Sequence, residues 1–214
     1  MQFLENYKRN LPHFLPIGST FFITSCLKDS IPKEIISQLQ ADLVNVQDRI
    51  RLEFANDERF NIELSNAQKR HFGHLDKHLD NYTGGFHWLK QPEIAKIVLD
   101  TFHFWNDKGY ELLAYTIMSN HFHILFDTQN FDTHPTTIMA SIKRFSSTNA
   151  NSVLNRKGIT FWQDESYDRR VRDYEELLRI INYILQNPVK ANLVKHWKDY
   201  PFTWLNEKYK DMFL

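Results

Sequence analysis

Two apolar runs, residues 110–118 and 121–127, flank the polar pair Ser119-Asn120. Runs of this length joined by a two-residue polar turn specify a β-hairpin, which commits the chain to an antiparallel sheet. The second run opens on His121-Phe122-His123. Alternate side chains of a strand share a face, and positions i and i+2 lie roughly 6–7 Å apart at Cα, so both imidazoles can reach one cation. Spacing alone leaves a plainer reading open, in which two hydrogen-bonded histidines serve the structure.

The rest of the chain reads around this hairpin. Residues 18–27, rich in Phe, Ile and Thr, form a first strand. A helix starts at Ile31-Pro32 and carries Ile35, Ile36, Leu39, Leu43, Val46, Ile50 and Phe54 at three- and four-residue steps. Residues 56–88 are polar and weakly periodic, with short helical pieces expected near 67–79 and a break at Gly84-Gly85, and read as a helical insertion. Pro92 opens another helix with Ile94, Ile97, Val98, Phe102 and Trp105 inward. A helix over 136–154 is expected to turn Ile138, Ile142, Phe145 and Val153 inward and Lys143 and Arg144 outward. A short strand over 167–172 leads to a helix from Tyr174 to Gln186, closed by Asn187-Pro188 because the residue before proline disfavours helical geometry. This order predicts an α+β fold: a ferredoxin-like core with an antiparallel sheet, helices mainly on one face, and a C-terminal extension over 189–214 within a single domain.

Among 214 residues, 26 basic and 26 acidic side chains cancel, so no global positive field advertises a nucleic-acid partner. Locally the balance shifts: residues 140–198 hold eleven basic against six acidic side chains, a net of about +5. Cys26 is the sole cysteine, which excludes intrachain disulfides and thiol-rich metal clusters and fits a reducing compartment. The first ten residues lack an apolar leader core, and no segment has the length of a membrane span. A soluble, unexported, cytoplasmic protein is expected.

In the helix 174–186 and its end, Tyr183 and Asn187 stand four residues apart on one face. Periodicity alone favours the plainer reading, a half-buried aromatic and a helix C-terminal Asn before proline. His71, His74 and His78, at steps of three and four, form a competing constellation, weakened by Gly73 and by the want of a well-placed carboxylate.

NHFHILF, FWQDESYDRRVRD, YEELLRIINYILQNPVKANLV and WKDYPFTWL together resemble the IS200-type single-tyrosine transposases, particularly the REP-associated group with a His-hydrophobic-His motif. The resemblance spans most of the chain and weakens over 56–88. It implies that His121, His123 and Asn187 bind a divalent metal, Mg²⁺ or Mn²⁺, and that Tyr183 is the nucleophile of a DNA endonuclease and strand transferase forming a 5′-phosphotyrosine. Single-stranded or hairpin DNA would be the partner, and the protein would work in the cytoplasm at the nucleoid. Lys143, Arg144, Arg156, Lys157, Arg169, Arg170 and Arg172 are the candidate phosphate contacts, with Phe161, Trp162 and Tyr167 as stacking surfaces or, more simply, core. Ser119 stands where many relatives carry proline. A catalytically silent hairpin-binding module is the alternative function, and monomer and homodimer both stay open.

Overall fold

The computed structural model describes residues 6–8, 12–14, 16–55 and 57–213. The N-terminal stretch inspected above for a leader, residues 1–10, lies mostly outside them. A short antiparallel ladder joins β1 (Asn6–Lys8) to β2 (Pro12–Phe14). The chain divides into two compact units, one of residues 1–28 with 86–214 and one of residues 29–85.

The smaller unit pairs two helices of 22 residues, α1 (Lys33–Phe54) and α2 (Phe60–Asn81). Short helical pieces were expected in the second stretch, yet the helix runs unbroken through Gly73. A mid-helix glycine costs about 1 kcal/mol, and burial of Ala67, His71 and Leu79 along one side of α2 offsets it. The helical unit therefore begins well before residue 56, because α1 packs with α2.

In the larger unit, β3 (Thr20–Cys26) is followed by α3 (Pro92–Trp105), the hairpin β4 (Glu111–Ile117) and β5 (His121–Asp127), α4 (Pro135–Val153) and β6 (Tyr167–Arg170). After these come α5 (Tyr174–Lys190) and β7 (Thr203–Leu205). The sheet order is β6-β3-β5-β4-β7, antiparallel throughout. Strands β3, β4, β5 and β6 with α3 and α4 make the βαββαβ pattern of a ferredoxin-like core. β7 extends the edge beside β4. Three residues are too few to show a period, so this strand is invisible in the sequence.

Across β3 and β5 the register pairs Phe22 with Leu125, Thr24 with His123 and Cys26 with His121. Alternation then sets Phe22, Thr24, His121 and His123 on one face and Phe21, Ile23, Phe122, Ile124 and Phe126 on the other. The second set packs with Ile94, Val98 and Phe102 of α3 and Ile138 and Ile142 of α4, each such side chain contributing on the order of 1.5–3 kcal/mol. α5 covers the first face: its Tyr183 ring meets Phe22 and His123.

Two expectations about helices fail for local reasons. Phe145 and Val153 of α4 are 55% and 39% exposed, not inward; the buried stripe is Ile138, Met139, Ile142, Ser146 and Ala150, in which the Ser146 hydroxyl accepts from Trp162 Nε1 at 2.9 Å. Asn187-Pro188, expected to close α5, lies inside it, and the helix runs on to Lys190. Proline removes only the rung to the Ile184 carbonyl. Beyond it, Ala191 N–H donates to the Asn187 carbonyl and Leu193 N–H to the Pro188 carbonyl, both at 3.0 Å. Asn187 is thereby kept helical, one turn from Tyr183.

Candidate active site

β5 begins immediately after the Ser119-Asn120 turn, where Met118 N–H donates to the His121 carbonyl at 2.8 Å. The ladder, not a loop, therefore fixes His121 and His123. Both are buried, and their ring centroids are 4.8 Å apart. His121 Nδ1 lies 2.7 Å from Asn120 Oδ1. A carboxamide oxygen only accepts, so Nδ1 of His121 carries the proton and Nε2 the lone pair. His123 Nδ1 lies 2.7 Å from the Thr24 hydroxyl on the neighbouring strand. With both Nδ1 atoms held from behind, Nε2 is the nitrogen by which each ring could bind a cation. Burial lowers the His123 pKa to about 3, which keeps the imidazole in its neutral, ligating form.

α5 delivers the other half of the site. The Tyr183 ring stands edge-on to His123 at 5.2 Å and to Phe22 at 5.9 Å. Phe22 in turn stacks on His123 at 5.6 Å. Asn187 is 3% exposed, and its Oδ1 accepts no hydrogen bond among the described residues. A buried carbonyl left in that state costs about 1–3 kcal/mol, which a cation would remove. Two neutral imidazoles backed by second partners, and a buried amide oxygen without one on the helix that carries Tyr183, are donor types suited to an open divalent site.

The start of α5 is anchored by charge. Asp173 caps it, accepting from Glu176 N–H at 2.7 Å. Glu176 is 2% exposed; it pairs with Arg169 of β6 and, at 3.2 Å, with Arg172, whose backbone N–H it also accepts at 2.9 Å. This ties the helix bearing Tyr183 to the sheet edge. Truncating one partner of a buried pair strands the other, at about 3–5 kcal/mol. Glu176→Ala is accordingly expected to lose that much stability in urea titration, and Glu176→Gln distinctly less.

These contacts change how the basic residues read. Arg169 and Arg172 are spent on Glu176. Lys143, expected outward, turns back to donate to the Gln163 and Asp164 carbonyls at 2.9 and 3.3 Å. Arg156 lies over the Phe86 and Trp88 rings at 4.5 and 5.1 Å. Arg144, Lys157 and Arg170 are exposed. Phe161 and Trp162 belong to the core, and Tyr167 stands edge-on to Phe22. Sequence reasoning missed Thr24, Asn120 and Glu176. The Asn beside His121 was the available signal for one of them; the other two depend on strand register and helix packing. Nor do His71, His74 and His78 gather: His71 is buried in the helical unit, with its pKa lowered by burial, while His74 is exposed. Cys26 is only partly buried as a residue, but the low-dielectric surroundings of its thiol push the pKa up to about 11, so it stays a thiol. No helix among the described residues is long and apolar enough to cross a membrane.

Residues 87–187 match the family described as "Transposase IS200 like". Among characterised proteins, the REP-associated tyrosine transposase of Escherichia coli (strain K12) is 26% identical over 97 residues, 45% of this chain and 55% of that protein. The chain thus aligns with about half the length of that relative. A solved structure titled "Structure of the REP associates tyrosine transposase bound to a REP hairpin" superposes on 92% of this chain and 80% of its own at 17% identity and a TM-score of 0.46.

Proposed function

We propose that this chain, which matches the IS200-like transposase family over residues 87–187, is a metal-dependent endonuclease and strand transferase acting on single-stranded or hairpin DNA. The observation that carries the reading is the meeting of the Tyr183 ring with the buried His121-His123 pair on one face of the sheet. His121 and His123 through Nε2 and Asn187 through Oδ1 would hold Mg²⁺ or Mn²⁺, which when bound offsets charge on the phosphate oxygens.

Tyr183 is the nucleophile. Its phenol oxygen attacks the scissile phosphorus in line; the P–O(Tyr) bond forms as the P–O3′ bond breaks, the phenol proton passes to solvent, and the departing O3′ takes up a proton to become a free 3′-OH. The protein is left with a 5′-phosphotyrosine, which keeps the phosphodiester energy. A second 3′-OH attacking that phosphotyrosine releases Tyr183 and joins the new ends without a nucleotide cofactor. Single-stranded or hairpin DNA suits this geometry because an unpaired nucleotide can bring its phosphate to a half-buried ring. A DNA substrate sets the reaction in the cytoplasm at the nucleoid.

The test is incubation with a pool of single-stranded hairpin oligonucleotides and Mn²⁺, read on denaturing gels. A band that survives denaturant and disappears with EDTA is expected. If the chain retains the oligonucleotides on a native gel but forms no such band, it is a binding module and the reading fails.

A further inference from the structure

Lys190, in the last turn of α5, lies inside the stretch YEELLRIINYILQNPVKANLV but takes no role from the resemblance, and its surroundings differ from those of the other cations near the site. Its ammonium lies 5.4 Å from the centroid of the Tyr183 ring. Tyr183, Asn187 and Lys190 stand at i, i+4 and i+7, so one stripe of α5 carries all three. The stripe is continuous because the helix does not stop at Pro188; had it ended there, Lys190 would have left with the chain. The side chain is exposed, and no carboxylate pairs with it among the described residues. Arg169, Arg172 and Lys143, by contrast, are held by Glu176 or by backbone carbonyls. A lysine without an acidic partner, standing over the ring of a nucleophile at the solvent end of a buried site, has the chemistry of an anion contact: a compact charge on a flexible stem with three donors.

We propose that Lys190 is a substrate-contacting residue, its ammonium gripping a nonbridging oxygen of the DNA phosphate presented to Tyr183. The proposal deepens the endonuclease reading and rests on it for the identity of that phosphate. Lys190 stands on the solvent side of the Tyr183 ring, whereas His123 meets that ring from within the sheet. A phosphate brought to Tyr183 from solvent would meet the Lys190 ammonium on the exposed side of that ring. The contact is made before the reaction and strengthens as charge gathers on the nonbridging oxygens, so its loss should lower the rate of bond exchange more than affinity.

The experiment uses the full chain with the single-stranded hairpin oligonucleotide pool and Mn²⁺, comparing wild type, Lys190→Ala and Lys190→Arg. Two quantities are read: the rate of covalent adduct formation, and the salt dependence of binding measured by fluorescence anisotropy in a Tyr183→Phe background. Lys190→Ala should slow adduct formation by about 100-fold and reduce the slope of log K against log salt by about 0.7, the value of one phosphate contact on a single strand. Lys190→Arg should restore the slope and most of the rate. Because Lys190 is exposed, the melting temperature should move by no more than a few degrees. An adduct rate and a salt slope both unchanged in Lys190→Ala would overturn the proposal. If wild type binds the pool but forms no adduct, the endonuclease reading fails alone, and the slope still decides whether Lys190 touches a phosphate. If the pool does not bind at all, both fall.

Discussion

Tyr183→Phe is expected to abolish the covalent protein–DNA product while leaving the fold and DNA affinity nearly intact. The substitution removes one oxygen. The ring keeps its edge-on contacts with His123 at 5.2 Å and Phe22 at 5.9 Å, so the change in stability should stay below about 1 kcal/mol. A phosphotyrosine cannot form without the phenol oxygen, and the loss should be complete on a denaturing gel rather than partial. Affinity for the hairpin pool by anisotropy should change less than about threefold, since a single hydroxyl supplies little of a binding energy dominated by phosphate contacts. An adduct persisting at the wild-type level in Tyr183→Phe would show that another residue is the nucleophile.

The second large effect is expected at the histidine pair. His123→Ala should weaken Mn²⁺ binding by at least about 100-fold, because removal of an outer partner alone commonly costs 10- to 100-fold. That outer partner is identified: Thr24 faces His123 across β3 and β5, with its hydroxyl 2.7 Å from Nδ1. Thr24→Val keeps the shape and removes the hydrogen bond, and it should fall in the 10- to 100-fold range. Isothermal titration with Mn²⁺ measures both, and adduct formation should follow the same rank. Equal Mn²⁺ affinity in wild type and His123→Ala would remove the histidines from the metal site.

Much of this site was legible in the sequence, for reasons that differ by residue. The hairpin was readable because its two apolar runs keep strand length on either side of Ser119-Asn120, and period two then required His121 and His123 to share a face. Tyr183 and Asn187 were readable as one helical face because the spacing of four survives whatever lies around the helix. Asn187 was nevertheless expected at a helix end. The rule that proline terminates helices weighs one missing rung, and it cannot weigh the buried contacts of Pro188 or the bonds that resume beyond it. Glu176 was missed for a related reason. An acid in the first turn of a helix reads as a solvated charge favoured by the dipole, and only the packing of α5 against β6 reveals a buried carboxylate holding two arginines. The surroundings of the basic residues were the least legible. Composition reports charge, but whether Arg169 or Lys143 points to solvent or back into the protein is decided by a partner on another element, Glu176 of α5 for the one and the Gln163 and Asp164 carbonyls for the other. Lys190 went unselected because its significance lies in a ring seven residues away.

The central claim is that Tyr183, set beside His121 and His123, forms the bond to DNA. Peptide mapping of the Mn²⁺-dependent adduct by tandem mass spectrometry, after nuclease trimming of the oligonucleotide, tests it most directly. The account predicts a nucleotide linked through its 5′-phosphate to Tyr183, in the peptide spanning residues 180–190. A nucleotide on any other side chain, or joined through a 3′-phosphate, would contradict it.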